Sequence, residues 1–148
     1  MTFLIIGATG SVAGRATTQL LQGGTSVRLL VRNAEKAAKL FGALPKEGVE
    51  LVSGAFDDPK VLDRAFSEVS TVFQALGTSP QQVVLEKRLI DAAALAGVVQ
   101  VVRLSVMGAV DDPRYEILRR HAELDSYLRV SGVAHTLLRP ATFSAICF

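Results

Sequence analysis

Residues 1–15 run MTFLIIGATGSVAGR, and the stretch GATGSVAG at 7–14 decides how the rest of the chain is read. A short apolar run ends at Gly7, a second glycine follows at position 10, and helical spacing begins about two residues later. Strand, glycine turn and helix, in that order, make an anion-binding turn. Gly7 permits the sharp bend and Gly10 lets a phosphate approach the backbone, while the amides near Ser11 to Ala13 point at the anion with the helix dipole behind them. The next expected glycine position holds Ala13, with Gly14 one step late. Alanine is accepted there, because the need is close packing of helix on strand.

Outward from this turn, short β-branched or leucine-rich runs alternate with longer amphipathic runs, the βαβ pattern of a parallel sheet covered on both faces. Strands are expected at 3–7, 26–32, 49–54, 71–76, 99–105 and 135–138, with helices near 12–22, 34–42, 60–68, 81–96 and 114–130. Gly23-Gly24, Gly97 and Gly132 fall where helices should end, and Asp58-Pro59 and Ser79-Pro80 where helices should start. The set predicts an α/β Rossmann fold: a doubly wound parallel sheet of six strands, order 3-2-1-4-5-6, with right-handed crossovers.

Composition agrees with one domain, 1–148. At 148 residues and 49% hydrophobic the chain can build one core and is too short for two ordinary ones. A net charge of +2, with no Lys/Arg run, argues against direct nucleic-acid binding. The apolar start lacks a basic leader and no segment reaches the ~20 apolar residues of a membrane span, so a cytoplasmic protein is expected. One cysteine, Cys147, excludes an intramolecular disulfide and a cysteine-based zinc cluster, and no metal site is expected.

The end of the second strand selects the dinucleotide. An NAD site usually places an acid there for the ribose 2′-OH, whereas LLVRN presents Arg32, whose guanidinium suits a 2′-phosphate. NADP(H) is therefore expected over NAD(H), with Arg15 and Lys36 adding charge if they face the same crevice. A solvated arginine at a strand end is the plainer alternative.

GATG, VRLLVRNAEKA, VELVSGAFDDPKVLDRAF, VVRLSVMGA and YLRVSGVAHTLLRPATF together resemble the NmrA-like, NAD(P)H-binding atypical short-chain dehydrogenase/reductases over essentially the whole chain. That family includes NADPH-dependent quinone, triarylmethane-dye and isoflavone-type reductases, and regulators that bind the dinucleotide without turning it over. The resemblance implies that Gly7, Thr9, Gly10, Ser11, Val12 and Arg32 contact phosphates and ribose, and that Phe56 lies near the adenine. It further implies that Ala75, Leu76 and Gly77 flank the cofactor and that Ser105 lies near the nicotinamide. The family usually has Asp after Gly54, able to hold the adenine amine. Here Ala55 stands in its place, with Asp57 a possible substitute.

The Tyr-x-x-x-Lys pair of typical short-chain reductases is broken: Tyr115 is followed four residues later by Arg119, which lacks lysine's compact ammonium and tunable pKa. Tyr115 follows DDPR and reads as a surface or packing residue. His121 stands where isoflavone-type relatives carry a lysine beside the nicotinamide. It reads equally as a proton donor or substrate-binding group and as a core histidine, since Leu118, Leu124 and Leu128 share its helical face. The resemblance also implies a C-terminal substrate lobe beyond RPATF, which this sequence does not contain. Two functions follow: a reductase of quinone-like or carbonyl acceptors, or its cofactor domain, and a non-catalytic NADP(H)-sensing regulator acting through a protein partner. The last strand as a sheet edge, together with Phe143, Ile146 and Phe148, leads us to expect a homodimer.

Overall fold

The computed structural model describes residues 1–42 and 47–141; Phe143, Ile146, Cys147 and Phe148 fall outside them. Eleven elements follow one another: β1 (Thr2–Ile6), α1 (Ser11–Gln22), β2 (Val27–Val31), α2 (Ala34–Phe41), β3 (Val49–Ser53), α3 (Pro59–Phe66), β4 (Val69–Gln74), α4 (Gln82–Leu95), β5 (Gln100–Leu104), α5 (Glu116–Val130) and β6 (His135–Leu138). All strand pairs are parallel and the sheet order is β3-β2-β1-β4-β5-β6, as the alternation of runs predicts.

The pleat of the sheet divides the core in two. Leu4, Ile6, Leu30, Val52, Val72 and Val101 face the helices α3, α4 and α5, where Phe66, Leu89, Ile90 and Leu128 meet them. Ile5, Val27, Leu29 and Val31 face the other way and pack with Ala13 of α1 and Ala37 of α2. Strand β1 thus buries Leu4, Ile5 and Ile6 on both faces, as a covered parallel strand does, whereas its neighbour β4 also carries Ser70, Thr71 and a buried Gln74.

Element ends depart from the expected bounds for local reasons. Asp58 caps α3 by accepting from the Lys60 amide at 2.9 Å, but the helix stops at Phe66, because Ser67 swings out of helical backbone at ψ 125° and Glu68 follows at a left-handed φ of 57°. Helix α4 begins two residues after Pro80, since the Ser79 carbonyl first closes a turn with the Gln82 amide at 3.1 Å. Helix α5 begins at Glu116, after Asp112 has drawn the Arg114 amide into a turn of its own at 2.9 Å. Gly24, Gly97 and Gly132 take positive φ at helix ends, as their positions predict.

Strand order reverses between β1 and β4, where α1 and α4 leave for opposite faces of the sheet and a crevice opens at the strand ends. Among the described residues, no helix is long and apolar enough to cross a membrane.

Candidate functional site

The crevice starts at the glycine turn. Gly7 has φ +89°, and a Cβ there would stand 2.1 Å from the Ala75 carbonyl oxygen, so only glycine lets β1 leave the sheet beside β4. The Gly10 amide closes the turn on the Gly7 carbonyl at 2.8 Å. Gly10 is also the N-cap of α1: it offers no side-chain acceptor, and the first helical turn carries no acid. The amides of Ser11, Val12 and Ala13 are therefore left for an outside anion. Ala13 is buried in the core beneath this turn. The tight approach belongs to Gly14, whose Cβ would stand 3.0 Å from the Ala8 carbonyl. The late glycine thus shares the packing duty expected of position 13.

Two cavities meet at Leu76, Gly77 and Thr78 and so form one continuous crevice, the larger of them reaching the turn at Gly10 to Ala13. The smaller, about 130 Å³, lies toward β2 and is lined by Arg32, Phe56, Ser79, Gln82 and Leu85 as well. Arg32 is exposed, with its guanidinium 5.6 Å from the centroid of the Phe56 ring, a cation–π distance that holds the charge at the mouth of this cavity. Thr9 lies beside Arg15 and Thr18 in a third hollow on the outer side of the turn. Asp57, the substitute expected for the acid missing at position 55, does not line the crevice. It faces Arg88 at 3.4 Å and lines a separate, larger cavity between α3 and α4 that shares no residue with the crevice.

The other cavity, about 280 Å³, brings Gly10, Ser11 and Val12 together with Ala75, Leu76, Gly77, Ser105 and His121. Ser105 and His121 are both buried, on a polar cluster that the sequence reading missed. Arg103 is fully buried at the centre. Its Nε donates to Glu86 at 2.8 Å, its Nη1 donates to Asp125 at 2.7 Å, and its Nη2 lies 3.2 Å from His121 Nδ1. Ser105 Oγ donates to Asp125 Oδ2 at 2.8 Å, and Arg139 reaches the same oxygen at 2.7 Å from the rim.

This geometry assigns protons. A guanidinium only donates, so His121 Nδ1 accepts and the ring is held as the Nε2–H tautomer. Burial, and after it the charge of Arg103, pushes the His121 pKa below the usual histidine range against the opposing pull of Glu86 and Asp125. The imidazole is neutral near pH 7 and donates through Nε2. Ser105 has given its hydrogen to Asp125 and meets the cavity with lone pairs, so it is an acceptor and does not polarise a carbonyl. The neighbour that satisfies His121 is a charged side chain and not the backbone carbonyl expected of a core histidine. Tyr115 is half exposed, stacked by Arg114 at 5.5 Å, and neither it nor Arg119 lines the crevice. No group of three or more His, Cys, Asp or Glu that could hold a metal occurs among the described residues.

Residues 7–145 match the family model described as NAD(P)H-binding. The chain belongs to the NAD(P)H-binding family. Within it, the similarity extends to a (4-alkanoyl-5-oxo-2,5-dihydrofuran-3-yl)methyl phosphate reductase of Streptomyces griseus, 40% identical over 95% of this chain and 47% of that protein. An NAD(P)H azoreductase of Xenophilus azovorans is 31% identical over 95% of this chain and 48% of its own length. Among solved structures, the NADPH-dependent quinone oxidoreductase QOR2 of Escherichia coli, complexed with NADPH, superposes with TM-score 0.80 at 26% identity, over 97% of this chain and 50% of that one. The chain spans about half the length of the curated relatives it matches. This NAD(P)H-binding membership agrees with the atypical short-chain reductase resemblance carried by the motifs.

Proposed function

We propose that this chain is the cofactor-binding part of an NADPH-dependent reductase of a quinone-like or carbonyl acceptor. What carries the proposal is a single crevice with an exposed guanidinium at one end, uncapped helix amides in the middle, and Ser105 and His121 at the other end. The residues present fit a dinucleotide, because the Gly10 N-cap has no side chain and the first turn of α1 no acid to oppose its phosphates, while the buried, unpartnered Gln82 oxygen is free to accept from a donor elsewhere on it. Arg32 takes the 2′-phosphate, giving preference for NADP(H) over NAD(H), and the α1 amides take the pyrophosphate. Bound there, NADPH supplies a hydride. Ser105 accepts a hydrogen bond, as a carboxamide would give, while His121 Nε2–H donates to the acceptor oxygen on which negative charge develops. Arg103 holds the imidazole in that tautomer throughout.

NADPH consumption with a quinone and with an azo dye as acceptors tests the proposal. With this part joined to a substrate-binding part, turnover that falls when His121 becomes Gln, with NADPH affinity kept, supports it; binding without turnover on any acceptor in that joined form contradicts it. That second outcome favours the alternative of a non-catalytic NADP(H)-sensing regulator, which has a structural observation on its side: Ser105 has spent its proton and Tyr115 stands outside the crevice. We also propose that two copies associate, with the β6 edge as one contact.

A further inference from the structure

Gln82 is the first residue of α4 and is almost fully buried. Its side-chain amide is locked in one orientation. Nε2 donates to Glu86 Oε1 at 2.8 Å, while Glu86 Oε2 accepts from Arg103 Nε and Gln74 Nε2, each at 2.8 Å. A carboxylate paired with a guanidinium accepts only, so the amide end turned to it is the nitrogen and the oxygen is fixed on the other side. That oxygen is the one buried side-chain atom without a hydrogen-bond partner among the described residues. Native structures rarely leave such an acceptor unpaired unless a ligand or water meets it.

Gln82 borders the smaller cavity, whose other walls are the Phe56 ring, the Arg32 guanidinium, Leu76 and Leu85. These surfaces suit the faces of a flat heteroaromatic group, and the orphaned oxygen suits an N–H on its edge. Nearby alternatives are removed: position 55 is alanine, and Asp57 is engaged with Arg88 in another cavity. We infer that Gln82 is a specificity-determining residue that accepts from the exocyclic amine of the adenine ring, an inference resting on the dinucleotide reading above. Glu86 is its positioning partner, and through Arg103 the same carboxylate links the adenine end of the crevice to His121 at the other end.

Calorimetric titration of the wild-type chain with NADPH and with its hypoxanthine analogue, in which an oxo group replaces the amine, tests this without turnover. The analogue should bind about tenfold or more weakly, and Gln82→Met should bring the two affinities together. Because that variant also removes a partner of Glu86, a measurement on the unaltered chain accompanies it: the side-chain carbonyl carbon of Gln82, labelled with carbon-13, should shift on NADPH binding and not on binding the analogue. Equal wild-type affinities, or discrimination that persists in Gln82→Met, overturns the role of Gln82 while leaving the dinucleotide site intact. Failure of both dinucleotides to bind overturns the site and the inference together.

Discussion

His121 is at once a buried core residue and part of the crevice lining. Its ring is buried on α5 among Leu124 and Leu128, yet it lines the crevice and is tied to Arg103. Sequence spacing could place it on an apolar face but could not show that the neighbour on that face is a guanidinium, and this left its two roles undecided. The unfolded chain protonates this histidine near pH 6.5, and the folded chain only at lower pH, owing to burial and to Arg103. Over that interval the unfolded state holds more protons, so stability falls as pH drops below about 6.5. His121→Gln lacks this component, and denaturant unfolding between about pH 8 and 5 should show the variant gaining on wild type as acid is added. Identical slopes would mean that the folded histidine charges freely. In the assembled reductase the same variant should lower turnover about 10²-fold with NADPH affinity unchanged. Gly7→Ala is a second test at this scale. The left-handed backbone alone costs about 1–2 kcal/mol, and the collision with the Ala75 carbonyl adds to it. Thermal unfolding should show a large loss, and a variant as stable as wild type would mean that the turn can rearrange.

At the scale of elements, the cluster around Arg103 fastens β5 to α4 and α5. Glu86 comes from α4, Asp125 from α5 and Arg139 from just beyond β6, and their formal charges cancel. Removing the central cation leaves two buried carboxylates with only the half-exposed Arg139 and neutral donors to face. Arg103→Leu should cost about 3–5 kcal/mol, read as a lower denaturant midpoint. A loss below 1 kcal/mol would show that the carboxylates take up protons or water at little cost. Nothing in VVRLS marks its arginine as buried, and Glu86 and Asp125 look like ordinary solvated helix acids. Their partners are 17 and 22 residues away along the chain, so only the folded crossovers bring them together. By contrast the helix starts at Asp58 and the ends at Gly97 and Gly132 depend on neighbours within a few residues, and they were legible.

At the scale of the whole molecule, the six-strand order was legible because each βα unit has its own signal and the handedness of crossovers leaves few ways to arrange them. The positions of the turn at 7–14 and of Arg32 beside the crevice were legible for the same reason, as they sit at strand ends whose place the order dictates. Among the described residues strand β6 pairs only with β5, and Leu138 on it is substantially exposed. Light scattering over a dilution series should report a dimer, with Leu138→Lys shifting it toward monomer; a monomer at high concentration contradicts the association. The central claim is that the crevice takes a phosphorylated dinucleotide read by Arg32, and calorimetry with NADPH and NADH on wild type and Arg32→Asp tests it most directly. Wild type should prefer NADPH by tenfold or more, as the loss of a charge-assisted contact of about 1.5–3 kcal/mol implies, and Arg32→Asp should abolish or reverse that preference. Equal affinities of the wild-type chain for the two dinucleotides would contradict it.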